Sequence, residues 1–169
     1  MNPIETNRLL IRNFNEGDWP AFREVIVAYQ ASDSAKYEPA WPTSAEEMQS
    51  MTKWFAGGDD FLCVALKATG VVIGMLAIER RKAREDHARN LGYIFHPAYY
   101  GHGYATEGCR AIMQFVFNEL GAEAILTGTN PANEASVRLL MRMGLKRINE
   151  GEFTMSRDEW RAMNNQTPS

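Results

Sequence analysis

The residues best suited to chemistry lie in one short stretch, "HPAYYGHGYATEG", His96 to Gly108. Gly101 and Gly103 bracket His102, and Tyr104, Ala105, Thr106 and Glu107 follow. A strand-like run, "NLGYIF", comes just before, and an amphipathic run, "GCRAIMQFVFNEL", just after. Strand, glycine turn and helix in this order aim free backbone N–H groups at an anion. A plain tight turn would also use glycine for its backbone angles alone. A dinucleotide fingerprint fits poorly, because Thr106 stands where the third Gly or Ala belongs. The acidic residue about twenty positions on, Glu123, also falls before the next strand instead of at its end.

The elements that must position this turn are readable from periodicity. "NRLLIRNF" is a first strand, and "GDWPAFREVIVAYQ" a helix with Asp18 as N-cap, Pro20 in its first turn and Trp19, Phe22, Val25, Ile26 and Tyr29 on one face. "PTSAEEMQSMTKWFAGG" predicts a second helix, with Thr43 and Glu46 in capping-box spacing and a stop at Gly57–Gly58. "FLCVALKATGVVIGMLAIER" is a hairpin around Lys67–Gly70, and "RKAREDHARN" a charged connection. After the glycine turn the helix runs to Leu120, closed by Gly121. "EAILTGTN" is a strand, "NEASVRLLMRMG" a helix, and "LKRIN" pairs with "EFTMSR" around Glu150–Gly151. "DEWRAM" forms a last helical turn before a tail, from about residue 163 to 169, that frays. The order β-α-α-β-β-β-α-β-α-β-β belongs to the α+β class and does not suit a doubly wound sheet.

Composition excludes several function classes. The 169 residues suit one domain, 1–169. A net charge of −3 and a pI near 5.7 give no general attraction for nucleic acid or anionic membrane. No apolar run approaches a membrane span, and the first residues lack a signal-peptide pattern, so the expected location is cytoplasmic. Cys63 and Cys109 sit in apolar runs without C-x-x-C spacing and read as buried free thiols.

The segment "LGYIFHPAYYGHGYATEG" resembles the acetyl-CoA-binding motif of the GNAT N-acetyltransferase superfamily, most closely its RimJ/RimL-type branch. Downstream, "NPANEASVRLLMRMGLKR" is similar to the family's second motif, and "ETNRLLIRNF" and "FTMSRDEW" match the branch's habits. The resemblance runs from about Glu5 to Trp160. It implies a GNAT-like mixed, mostly antiparallel sheet of about seven strands flanked by about four helices. A splayed central strand pair, Tyr93–His96 against about Ile125–Gly128, would admit pantetheine to the free edge of Tyr93, Ile94 and Phe95. Tyr100, Gly101, His102, Gly103, Tyr104, Ala105 and Thr106 would cradle the pyrophosphate of acetyl-CoA. The branch tolerates Ala98 where the superfamily often has Gln or Arg.

Acetyl transfer to an amine needs a neutral nucleophile, a donor for the developing oxyanion and a proton or donor for the departing thiolate. The resemblance assigns the last role to Ser136. Asn133, three residues earlier on the same helix, either bonds a pantetheine amide or caps that helix. The branch's usual glutamate before the Gly-Tyr strand is Asn90 here, which cannot take a proton. Glu79 on the neighbouring strand is the substitute through water, while Glu107 complements the helix dipole. With no base in place, kcat/KM is expected to rise toward the amine's own pKa without an enzyme ionisation at about 6–7. Tyr37 and Trp41 are the candidate walls of the acceptor pocket.

The reading is direct transfer from acetyl-CoA to a primary amine, on a protein N-terminus or a small molecule, without a metal or a covalent enzyme intermediate. The competing reading is a non-catalytic acyl-CoA-binding sensor or partner module. A C₂ homodimer through the last hairpin's edge is the expected assembly.

Overall fold

The computed structural model describes residues 1–80 and 87–165. Among these residues eight strands form two sheets. The first is antiparallel throughout and keeps chain order: Ile4–Glu5 (β1), Leu9–Asn13 (β2), Phe61–Leu66 (β3), Val72–Ala77 (β4) and Gly92–Phe95 (β5). The second contains Ala124–Gly128 (β6), Lys146–Arg147 (β7) and Glu152–Ser156 (β8), with β8 in the centre and β7 at an edge. Five α-helices cover them: Trp19–Gln30 (α1), Ala45–Ala56 (α2), Tyr104–Asn118 (α3), Glu134–Arg142 (α4) and Arg157–Asn165 (α5).

The apolar run of β3 reflects burial of both sheet faces. Leu62 and Val64 point into a core shared with Ile112, Met113 and Val116 of α3. Cys63 points the other way, into a core with Phe22 and Ile26 of α1 and Met48 and Phe55 of α2. Each fully buried Leu, Ile or Phe in these clusters contributes roughly 1.5–3 kcal/mol. Both cysteines are buried free thiols, and burial pushes the Cys63 thiol up to about 12. No helix among the described residues is long and apolar enough to cross a membrane.

The expected α+β fold with a splayed central strand pair is present, and the splay has a visible cause. Arg89, just before β5, bridges Ile125 of β6 in parallel: Leu126 N–H donates to its carbonyl at 2.9 Å and its own N–H donates to Ala124 at 3.0 Å. One step further the Thr127 hydroxyl, not a backbone amide, donates to the Leu91 carbonyl at 2.6 Å. Past that point no backbone bond joins β5 to β6 among the described residues, and the edge of Tyr93–Phe95 is free. On its other side β5 lies tight against β4. A Cβ at Gly74 would overlap the Ile94 carbonyl oxygen, so only glycine allows this approach.

Four details differ from the sequence reading. The two-residue β1 adds to the expected elements, and the last helical turn expected at "DEWRAM" is a longer helix, α5. α5 runs through Asn165, past the expected start of fraying, because Trp160 is buried and stacks on Phe117 at 5.7 Å. The second helix is capped by Ser44 with Glu47, one residue later than the predicted Thr43 and Glu46. Asp18 takes the N-cap position of α1, but its side chain makes no cap bond there. Its carboxylate accepts from Arg12 at 2.6 Å and from the Asn15 N–H at 2.8 Å, which fixes the turn into α1 instead. Of the charged connection, residues 81–86 lie outside the described residues, as does the end of the tail.

Candidate active site

The chain leaves β5 at His96, whose Nδ1 accepts from the Ala98 N–H at 3.1 Å and so caps the short turn Pro97–Tyr99. Gly101 and Gly103 then take left-handed angles, φ +78° and +80°, which side chains adopt only at a cost. The turn delivers the chain to the start of α3, with Gly103 as its N-cap. Within the described residues, no backbone carbonyl accepts from the N–H groups of 101–106; the first helical bond is Glu107 N–H to Gly103 at 3.0 Å. These amides and the helix dipole, about half a positive charge, form one electropositive concavity. A Cβ added at Gly101 would meet no protein atom within 4 Å, so the bare backbone faces open space.

Arg8 and Glu107 hold this turn from behind. Glu107 accepts from the Thr6 hydroxyl (2.6 Å), the Arg8 N–H (2.9 Å) and the Arg8 guanidinium (2.7 Å). Arg8 also donates to the His102 carbonyl at 2.9 Å and lies over the Tyr104 ring at 4.3 Å. Burial pushes the Glu107 carboxyl up, but the Thr6 and Arg8 bonds outweigh it and leave its pKa lowered. A carboxylate whose pKa is lower folded than unfolded stabilises the fold above its unfolded pKa, and that stability is lost as pH falls through the folded pKa. Glu107→Gln is therefore expected to cost about 1–2 kcal/mol at neutral pH, allowing for the partial exposure of Arg8. Urea titrations should show the gap to wild type closing as pH drops below the ordinary glutamate range.

In front of the turn lies a cleft of about 370 Å³. β5 contributes Tyr93, Ile94 and Phe95, the turn and the first residues of α3 contribute Tyr100 to Thr106 apart from His102, and α4 contributes Ser136 and Arg142. Tyr93 and Ser136 hydroxyls are 2.7 Å apart, and burial pushes the Tyr93 phenol above its ordinary range, so it stays protonated. Of its two expected roles Asn133 takes the helix-capping one. Its side chain caps α4 by accepting from the Ser136 N–H at 3.2 Å, and it lines the cleft. Arg142 reaches Thr106 Oγ1 at 3.5 Å.

Most of the residues predicted for the site meet in this cleft, but four do not line it. The His102 ring stacks on Tyr104 and is exposed, so only its backbone belongs to the turn. Glu79 accepts from the Asn90 side chain at 3.4 Å and is not on the cleft wall. Tyr37 lies under Lys36, and Trp41 packs against the α1–α2 core. Tyr29, Ser34 and Glu38 line the cleft where these were expected to. Sequence reasoning placed Tyr29 on the apolar face of α1 without assigning it to the site, and it missed Ser34 and Glu38, as well as Tyr99 and Arg142. Arg142 had a partial signal, since it lies one turn beyond Leu139, which also lines the cleft. Glu38 had none, because it follows a one-turn 3₁₀ segment, Asp33–Tyr37, that no periodicity marks.

The acetyltransferase (GNAT) domain family matches residues 8–146. The uncharacterized N-acetyltransferase YnaD of Bacillus subtilis (strain 168) is 30% identical over 151 residues, 89% of this chain and 85% of that protein. A GNAT-family acetyltransferase from Bacillus anthracis superposes with a TM-score of 0.83 at 24% identity, covering 93% of this chain and 99% of that one. RimL, a ribosomal L7/L12 α-N-protein acetyltransferase in complex with coenzyme A, superposes with a TM-score of 0.76 at 17% identity, over 94% and 99% of the two chains. Fold, cleft and relatives together define an acetyltransferase. The chain belongs to the GNAT family, which uses acetyl-CoA and acts on amines.

Proposed function

We propose that this enzyme transfers the acetyl group of acetyl-CoA directly to a primary amine, and that it falls in the RimJ/RimL-type branch. One observation carries the reading: a single cleft contains both the unpaired amides of 101–106 and the Tyr93–Ser136 hydroxyl pair. The residues fit acetyl-CoA. Amides 101–106 with the Thr106 hydroxyl and the Arg142 cation take the phosphates, the free edge of β5 takes the pantetheine amides, and Asn133 lies beside them. The thioester supplies an activated acyl carbon with a thiolate leaving group. Ser136, paired with a phenol that burial keeps protonated, holds the proton that the sulfur needs. The motif order of the RimJ/RimL branch and the fold likeness to RimL support the branch.

The test is release of free thiol from acetyl-CoA across a panel of peptides with free N-termini, polyamines and monoamines, with products identified by mass spectrometry. Acetylation of at least one primary amine at nitrogen is expected. Binding of acetyl-CoA without acetylation of any amine would overturn the reading and favour a non-catalytic module.

A further inference from the structure

Resting on that reading, we propose that Glu38 is the catalytic carboxylate on the acceptor side: it receives the incoming primary ammonium in the cleft and takes its proton before attack. The geometry points to it by position and by elimination. Among the described residues lining the cleft, Glu38 is the sole carboxylate. Asn90 has no basic group, Glu79 is turned to Asn90 away from the cleft wall, and Glu107 is committed to Thr6 and Arg8 on the far side of the turn. His96 spends its Nδ1 on the Ala98 N–H. Glu38 is held in extended geometry at the end of Asp33–Tyr37, with its N–H donating to Ala35 at 3.2 Å.

Its neighbours suit an ammonium ion. The titratable and charged groups lining the same cleft are Tyr29 from α1, Tyr93 from β5, Tyr99 and Tyr100 from the following turn, Tyr104 from α3 and Arg142 from α4. All but one are neutral aromatic rings with hydroxyls, and such rings attract cations. The single cation, Arg142, bonds to Thr106 of the cradle. Glu38 is exposed, yet partial desolvation by its surroundings raises its pKa, and the nearby Tyr29 hydroxyl offsets this only in part. A carboxylate with a raised pKa is a better base near neutral pH than an ordinary surface glutamate.

The protons balance. Glu38 takes one proton from R–NH₃⁺ to give the free amine and a carboxylic acid, which passes that proton to solvent. The amine nitrogen bonds to the acetyl carbon, and the carbon–sulfur bond breaks. Sulfur receives a proton from the Tyr93–Ser136 pair, and the nitrogen's second proton restores that pair.

Glu38→Gln tests the proposal, with kcat/KM measured against pH for peptide N-termini and for a polyamine. The expected result is a drop of about 10²-fold near neutral pH and loss of an acid limb that lies above the ordinary glutamate range in the wild type. Acetyl-CoA affinity, measured by calorimetry, should stay unchanged, which also shows that the variant is folded. Glu38→Asp should restore part of the rate. An alkoxyamine, already neutral at pH 7, should be acetylated almost equally by wild type and Glu38→Gln. A source effect, in which only the peptide or only the polyamine suffers, would still support Glu38 and identify which amine the site takes. If Glu38→Gln retains both rate and acid limb while the wild type acetylates amines, this proposal fails and the amine reading stands. If the wild type acetylates no amine, both fall.

Discussion

Gly103→Val is expected to weaken acetyl-CoA binding by about tenfold or more. Residue 103 sits at φ +80°, where an L-residue costs roughly 1–2 kcal/mol, and a β-branched one is the least tolerant. Two responses are open to the chain. It either keeps the left-handed turn and carries that strain, with the valine methyls beside the amides of 101–106 and Arg8 only 3.5 Å from its Cβ. Or it relaxes to negative φ and turns the first amides of α3 away from their common centre. Both act on phosphate binding, since a difference of 1.4 kcal/mol is already tenfold in affinity. Gly70→Val is the matched control: it has φ +74° in the β3–β4 hairpin turn, remote from the cleft, and open space around it. It should lose similar stability and keep its acetyl-CoA affinity by calorimetry. Equal affinities for wild type and Gly103→Val would mean that this turn holds something other than phosphate.

This turn was legible from the sequence because everything that makes it is local. Glycine spacing, the preceding strand and the following amphipathic helix all lie between Asn90 and Leu120. The same holds for Ser136 and Asn133, which sit on one helix face by spacing alone. Residues that reach the site through the tertiary fold were not legible. Tyr29 was readable as a core residue of α1, and it is buried, but its ring also forms a wall of the cleft. Nothing local places it against Glu38 and Tyr93. The splay itself depends on Arg89 and Thr127, thirty-odd residues apart, closing one end of the β5–β6 pair with |i−j| of 36 for the Thr127–Leu91 bond. A run such as "NLGYIF" contains no mark of where its partner departs. Local competition explains the smaller differences. Thr43 and Ser44 are adjacent hydroxyls with a glutamate three residues beyond each, so spacing alone does not choose between them. Asp18 had a nearby guanidinium, Arg12, that propensity rules for capping do not see.

The second large effect is expected at Ser136. Its hydroxyl shares a 2.7 Å hydrogen bond with Tyr93, and either oxygen can be the donor. Because burial raises the Tyr93 pKa, the pair holds its proton throughout the pH range in which the enzyme would work. A donor already positioned at a developing anion is worth about 10²-fold in rate when it is removed. Ser136→Ala is therefore expected to lower kcat by about 10- to 100-fold, with acetyl-CoA affinity little changed, since the proposed phosphate cradle is the separate turn at 101–106. The two hydroxyls form one relay, so Tyr93→Phe should cost a similar factor, and the double variant little more than either single one. That non-additivity separates a shared proton path from two independent contacts, whose losses would multiply. The acid limb assigned to Glu38 should survive in Ser136→Ala, because in the proposal the ammonium's first proton goes to Glu38, whereas the sulfur's proton comes from the Tyr93–Ser136 pair. Single-turnover rates with an amine substrate would read both quantities at once. If Ser136→Ala turns over at the wild-type rate, the leaving thiolate takes its proton from elsewhere, and Tyr93→Phe alone then reports whether the phenol supplies it directly.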